Sequence, residues 1–189
     1  GLLKSAWLTR YVKAPVAGLD KGSAREPIAA RFYDRRLAVA RGQHAVERVR
    51  QLFAIALGYD LPKGLGDYGL NVERLVELPR KNPYVLFLHG TTWDTKHWPE
   101  AYWRELAERV GYLGVGVKLA WGNPAEKERA ERIAKDMRHV EVLPKLNLAG
   151  VGKILAGAQA CVAVDTGLGH LAAALDVPTL SLFGPTNPG

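Results

Sequence analysis

The 189-residue chain has one cysteine, Cys161, so no internal disulfide can form, which fits a reducing compartment. Cys161 sits inside an apolar run, where a thiol packs as core rather than acting as a nucleophile. No apolar run is long enough to span a bilayer, and no segment reads as a signal peptide. His, Cys and Asp never fall at a metal-ligand spacing, and no Ser or Cys has an obvious base beside it. The expectation is therefore no metal and no cofactor. Net charge is also missing from most of the chain: residues 51–189 hold 15 Lys+Arg and 15 Asp+Glu.

The positive charge lies instead in residues 1–50, with 11 Lys+Arg against 4 Asp+Glu, a net of +7. Charge concentrated in this way suggests an anionic partner: nucleic acid, an acidic membrane surface, or a phosphorylated lipid or sugar. A solvated basic helix face would have the same composition. The 48% hydrophobic and 24% charged content is that of an ordinary globular protein. The chain opens on Gly1-Leu-Leu-Lys, already helix-like, and stops in the loop Gly184–Gly189 after an expected strand. It reads as a piece of a longer chain.

Two rhythms divide it. Leu2–Tyr11 reads as a helix, Val16–Asp20 as an extended segment, and Ser23–Tyr33 as the start of a helix with Pro27 in its first turn. Val46, Val49, Phe53 and Leu57 are spaced for a helix from Gly42 to Leu57, with Gly58 as its stop. Asp60–Leu70 is rich in Gly and Pro and reads as a linker. From about Val72, strands alternate with helices. Strands are expected at 84–88, 115–119, 140–143, 160–164 and 179–183, and helices at 99–112, 124–137, 148–157 and 168–175. That alternation predicts βαβ units and a parallel sheet.

Ligands of such sheets sit beyond the carboxyl ends of the strands, so the strand-end loops are the places to look. Gly64-Leu-Gly-Asp-Tyr-Gly69 matches G-x-G-x-x-G but follows a turn rather than a strand, so it is a linker and not a dinucleotide fingerprint. The loop His89-Gly-Thr-Thr-Trp-Asp-Thr-Lys-His-Trp-Pro-Glu100 offers the hydroxyls of Thr91 and Thr92 and the point charge of Lys96 to a diphosphate. Thr and Asp in such loops also serve simply as caps. After Trp121-Gly-Asn-Pro-Ala, Glu126 could accept from both ribose hydroxyls, or merely complement a helix dipole. Leu143-Pro-Lys-Leu146 could form an apolar bed for a base. Val164-Asp-Thr-Gly-Leu-Gly-His170 is a strand, a tight turn and a helix start, where unpaired N–H groups and the helix dipole attract phosphate. One crevice would then collect Lys96, Glu126, Asp165 and His170.

Taken together, these loops, Gly1-Leu-Leu-Lys-Ser-Ala, Arg25-Glu-Pro and Gln43-His-Ala-Val-Glu-Arg resemble the ADP-heptose glycosyltransferases of lipopolysaccharide synthesis over essentially the whole chain. The Thr-Thr…Lys-His-Trp-Pro form is similar to the branch that uses a Kdo acceptor rather than a heptose acceptor. The resemblance implies an α/β fold of GT-B type, a Rossmann-like parallel sheet with flanking helices, here mostly the C-terminal nucleotide-binding domain. Residues 1–71 would be the end of the acceptor-binding domain plus linker, and 72–189 the truncated ADP-heptose-binding domain. It puts Thr91, Thr92 and Lys96 near phosphates and sugar, Glu126 on the ribose and Leu146 by the adenine. Thr166, Gly167 and Leu168 would meet the diphosphate through their backbone, with Asp165 and His170 toward the donor sugar.

The implied reaction is inverting transfer of L-glycero-D-manno-heptose from ADP-heptose to Kdo of lipid A-linked core. A carboxylate base takes the acceptor proton and fixed groups stabilise the leaving diphosphate. In the family that base lies early in the N-terminal domain, so no residue here inherits it. Lys96 and Asp165 would support the donor, and the piece alone would not turn over. Arg25, Arg35 and Arg36 are the candidates for the anionic acceptor. The expected setting is cytoplasmic, with peripheral contact on the cytoplasmic face of the inner membrane and no nucleic acid as partner. The competing readings are a relative acting on a heptose acceptor, and a non-catalytic nucleotide- or nucleic-acid-binding module.

Overall fold

In the computed structural model, residues 2–64, 66–70, 75 and 82–184 are described, and they fall into two compact units that divide between Gly66 and Asp67. The expected boundary at 71/72 lies outside the described residues, as do Leu65 of the glycine-rich linker and the terminal 185–189.

The first unit begins with α1 (Leu3–Leu8), which tightens into a 3₁₀ turn at Thr9–Tyr11. Strand β1 (Ala17–Leu19) pairs in parallel with β2 (Arg35–Leu37), with Ala17 opposite Arg35. The helix expected from Ser23 is a 3₁₀ segment confined to Pro27–Phe32, because Pro27 fixes its first residue. Strand β2 was not expected: its polar Arg35-Arg36 start gives no apolar alternation. Helix α2 (Ala45–Leu57) opens with the His44 ring accepting from Val46 N and ends at Gly58, whose φ of +73° is a left-handed cap.

The second unit is a five-stranded parallel sheet: β3 (Tyr84–Leu88), β4 (Gly116–Leu119), β5 (Val140–Val142), β6 (Ala160–Val164) and β7 (Thr179–Leu182), in the order β5-β4-β3-β6-β7. The crossovers are α3 (Glu100–Tyr112), α4 (Pro124–Ala134), α5 (Leu148–Gly157) and α6 (Gly167–Ala174). Successive strand residues point to opposite faces, and both faces are covered. Leu86, Leu88, Cys161 and Ala163 pack against Val151 and Leu155 of α5 and Ala172 of α6. Phe87, Val117, Leu119, Val162 and Val164 pack against Trp103 and Ala107 of α3 and Ala130 and Ile133 of α4. The chain winds outward from β3 to β5, then returns to place β6 on the other side of β3. Loops leaving β3 and β6 therefore part in opposite directions, and a crevice opens between them at the carboxyl edge of the sheet. Among the described residues, no helix is long and apolar enough to cross a membrane.

Candidate functional site

A cavity of about 620 Å³ occupies that crevice. The loop after β3 contributes Thr91, Thr92 and Lys96, the first turn of α4 contributes Glu126, and the loop before α5 contributes Leu146. The turn after β6 adds Asp165 and Thr166, and the first turn of α6 adds Gly167, Leu168 and His170. All ten donor-site candidates read from the sequence thus line one hollow.

Lys96 follows from a 3₁₀ turn, Asp94–Lys96, closed by Lys96 N donating to Trp93 O (2.9 Å) and His97 N to Asp94 O (3.1 Å). Its ammonium donates to Asp165 Oδ2 at 2.6 Å, with only 24% and 17% of the two side chains exposed. The pair joins the β3 loop to the β6 turn and cancels two charges in a partly dry place. An arriving anion would share the lysine with Asp165 rather than meet it free.

Glu126 is held from three sides. Its carboxylate accepts from Gly122 N (2.7 Å), and its own N–H donates to the Asn123 side chain (2.9 Å), which caps α4. Gly90 closes the third side, for a Cβ there would stand 2.7 Å from the Glu126 carboxyl carbon. The carboxylate is therefore fixed in place before any ligand arrives. Beside it, Trp121 anchors its indole N–H on Leu143 O (2.6 Å) and turns its ring toward the cavity. Leu146, half-buried, and Leu148 and Val151 make the apolar wall.

The three helices that border the hollow start differently. Asn123 caps α4, and Asn147 caps α5 by accepting from Gly150 N (2.8 Å). Thr166, at the same position of α6, makes no side-chain cap bond. Around Gly167 an added Cβ would meet nothing within 4 Å, so a ligand can approach that backbone closely. Gly169 instead lies on β6, where a Cβ would stand 3.2 Å from Ala163 Cβ. An uncapped N-terminus open to a cavity is suited to an anion.

Some expectations were narrower than the structure. Thr91 spends part of its hydroxyl on a long bond from Trp93 N (3.4 Å). Gly90, Trp93, Trp121 and Gly122 line the hollow without having been singled out, though they lie within the quoted strand-end loops, which was the available signal; Leu148 and Val151 come from the start of α5, which no motif marked. The three acceptor candidates are not brought together. Arg25 borders a hollow with Trp7 and Phe32, and Arg36 borders another with Lys21 and Arg31. Arg35 donates to Ala56 O at 2.8 Å, so it holds the end of α2. Two arginines with adjacent numbers on a strand point opposite ways, and an undetected strand hid that. Among the described residues no group of three or more His, Cys, Asp or Glu gathers as a metal would need.

Behind the Lys96 loop lies a buried polar group that the sequence did not reveal. His89 is fully buried beside Trp103, and beyond a weak approach to the Ala120 backbone neither ring nitrogen has a hydrogen-bond partner among the described residues. Burial, reinforced by the positive charge of Arg129, pushes its pKa down to about 4, so the ring is neutral near pH 7.

The sequence pattern of glycosyltransferase family 9 (heptosyltransferase) matches residues 1–189. The lipopolysaccharide heptosyltransferase 1 of Pseudomonas aeruginosa is 70% identical over the whole chain, which covers 54% of that relative. The enzyme of the same name from Escherichia coli K12 is 51% identical, with 60% of it covered. The chain thus spans little more than half the length of these curated relatives. The solved E. coli heptosyltransferase WaaC with ADP-2-deoxy-2-fluoro heptose superposes with a TM-score of 0.91 at 48% identity, over all of this chain and 60% of that one.

Proposed function

Because the chain belongs to glycosyltransferase family 9, the heptosyltransferases, we propose that the hollow at its sheet edge binds ADP-heptose and that the full-length protein transfers the heptose, with inversion, to Kdo of lipid A-linked core. The observation that carries this reading is the meeting of Lys96, Glu126 and Asp165 with the uncapped start of α6 around one cavity. A donor solved in a 48%-identical relative supports it.

The chemistry follows from the parts. The diphosphate sits on the first turn of α6, with the backbone from Thr166 to Leu168 and the Lys96 ammonium as its donors. Glu126 accepts from the ribose hydroxyls. The adenine lies against Leu146, with Trp121 near it. Asp165 keeps Lys96 aimed, and with His170 it borders the sugar end, while Thr91 and Thr92 lie on the side of the β3 loop. Charge grows on the diphosphate as the glycosidic bond breaks, and a lysine that the ground state shares with Asp165 shifts toward it in the transition state. The general base is assigned to none of these 189 residues, and residues 1–189 alone are expected to give no turnover.

In this proposal residues 72–189 are the donor domain of a GT-B enzyme, and residues 1–71 belong to the acceptor side. The net +7 of residues 1–50 suits a carboxylated, phosphorylated acceptor and peripheral contact with the cytoplasmic face of the inner membrane. Arg25 and Arg36 are its candidate contacts, with Arg35 in a supporting role.

The test is heptose transfer by the full-length protein to Kdo-only and heptose-bearing acceptors, with K96A and D165A alongside. Transfer should favour the Kdo-only acceptor, and K96A should slow it by about a hundredfold. Unchanged rates in both variants would remove the donor site from this cavity, and preference for the heptose-bearing acceptor would change the acceptor assignment.

A further inference from the structure

Lys96 and Glu126 come from different strand-end segments, and a nucleotide that uses both needs them at a fixed separation. The Lys96–Asp165 pair ties the β3 loop to the β6 turn, but it does nothing to tie that loop to α4. Arg129 supplies that link. It lies on α4 three residues beyond Glu126, an axial step of about 4.5 Å along the same helix. Its side chain is only 13% exposed.

One guanidinium nitrogen lies 2.6 Å from His97 Nδ1, and the other donates to Trp98 O. Arginine can only donate, so Nδ1 is the acceptor and the His97 proton sits on Nε2. His97 and Trp98 are the two residues directly after Lys96. A rigid two-pronged donor on α4 thus grips the loop immediately past the lysine. Glu100, at the head of α3, stands 3.9 Å from Arg129 Nε and takes two bonds from Arg132 (3.0 and 2.7 Å), one turn further along α4. Under the grip lie the Trp98 and Trp103 rings, edge to face at 5.1 Å, and the neutral His89. Both fork acceptors come from the loop, and Glu100 faces the guanidinium from the head of α3. Burial lowers the Arg129 pKa, and Glu100 opposes that shift, as expected for a cation held where water is scarce.

We infer that Arg129 is a positioning residue for the donor site: it clamps the loop carrying Lys96 to the helix carrying Glu126, setting the span over which one nucleotide meets both. This rests on the donor reading of the cavity. Arg129 does not line the hollow; it acts through Lys96.

A double-mutant cycle in the full-length protein tests it, with ADP binding measured by calorimetry for the unaltered protein, R129K, K96A and the double variant. Lysine keeps the charge but cannot reach both acceptors as a fork. R129K should weaken ADP binding about tenfold when Lys96 is present and less than twofold in the K96A background. An equal loss in both backgrounds would mean that Arg129 only stabilises the unit, and no loss in either would mean that the clamp sets nothing; both overturn the inference. If R129K does not fold, H97A breaks the same contact from the loop side, and its loss must likewise vanish in K96A. If K96A itself binds ADP like the unaltered protein, the donor reading fails first and takes this inference with it. If K96A is weakened and the R129K loss persists beside it, the inference alone fails.

Discussion

The two sides of the parallel sheet are built on opposite plans. The side covered by α5 and α6 is dry: alanine, valine, leucine and a thiol fill it. The side covered by α3 and α4 is equally buried but carries polar groups within it, with His89, the Trp103 indole N–H and Arg129 Nε all lacking a full set of hydrogen bonds among the described residues. Buried polar groups of this kind reduce stability, each by roughly 1–3 kcal/mol when unpaired. The dry side shapes the apolar floor of the hollow and the α6 start; the polar side supports the loop that presents Lys96. The sheet thus gives up stability on the side where a loop has to be held in one position.

The largest expected effect would break that contrast directly. Trp103 is fully buried, tilted against Phe87 at 5.0 Å and edge-on to Trp98, and Leu155 fills the other side. W103A should cost about 3–5 kcal/mol and L155A about 2–5 in urea unfolding. The two should separate in ligand binding: W103A should also weaken ADP binding because Trp98 loses its support, while L155A should leave it nearly unchanged. Equal ADP losses would end the division of labour.

Acid should act on one side only. The folded pKa of His89 lies near 4, below the ordinary 6.5, so between those values the unfolded chain binds a proton that the folded chain refuses. Stability is then fully present above about pH 6.5 and falls by about 3 kcal/mol as the pH drops to 4. Unfolding followed from pH 7 to 4 should show this limb, and H89Q should flatten it. A slope that survives H89Q would place the titrating group elsewhere.

A further variant sharpens the picture at the rim. A methyl at position 90 would press on the Glu126 carboxylate, the far end of a side chain rather than backbone, so G90A should change stability by less than about 1 kcal/mol. It should instead push the carboxylate off Gly122 N and weaken ADP about tenfold, toward the affinity of 2′-deoxy-ADP, whose binding should hardly change. The smallest effect is on the dry side: burial pushes the Cys161 thiol up to about 12, so a thiol reagent at pH 8 should leave it unmodified until the protein unfolds.

The second unit was largely legible because strong periodicity and short connections agree there. The strands at 84–88 and 160–164 and the helix at 148–157 fall where their apolar patterns put them. The helix from Pro124 ends at Ala134 rather than Met137, because Lys135 already turns to an extended ψ (130°) and Asp136 follows in positive φ (65°), backbone states that no pattern of apolar residues announces. The convergence of the ten candidates on one hollow was readable because strand ends are fixed by topology, so loops far apart in sequence had to meet. The first unit was less legible: β2 is three residues long and mostly charged, and Pro27–Phe32 is too short to show a period. The Arg129 grip was invisible for another reason. It depends on two donors of one side chain reaching a ring nitrogen and a carbonyl some thirty residues away, and no spacing rule encodes that.

The unfinished start of α6 has a consequence for the order in which the molecule becomes rigid. Where Asn123 and Asn147 complete their helices from within the chain, Thr166 leaves that task to whatever enters the hollow. A bound diphosphate would then act as the missing piece of secondary structure, and its arrival should be visible as slowed deuterium uptake at Gly167 and Leu168 while the first turns of α4 and α5 hardly respond.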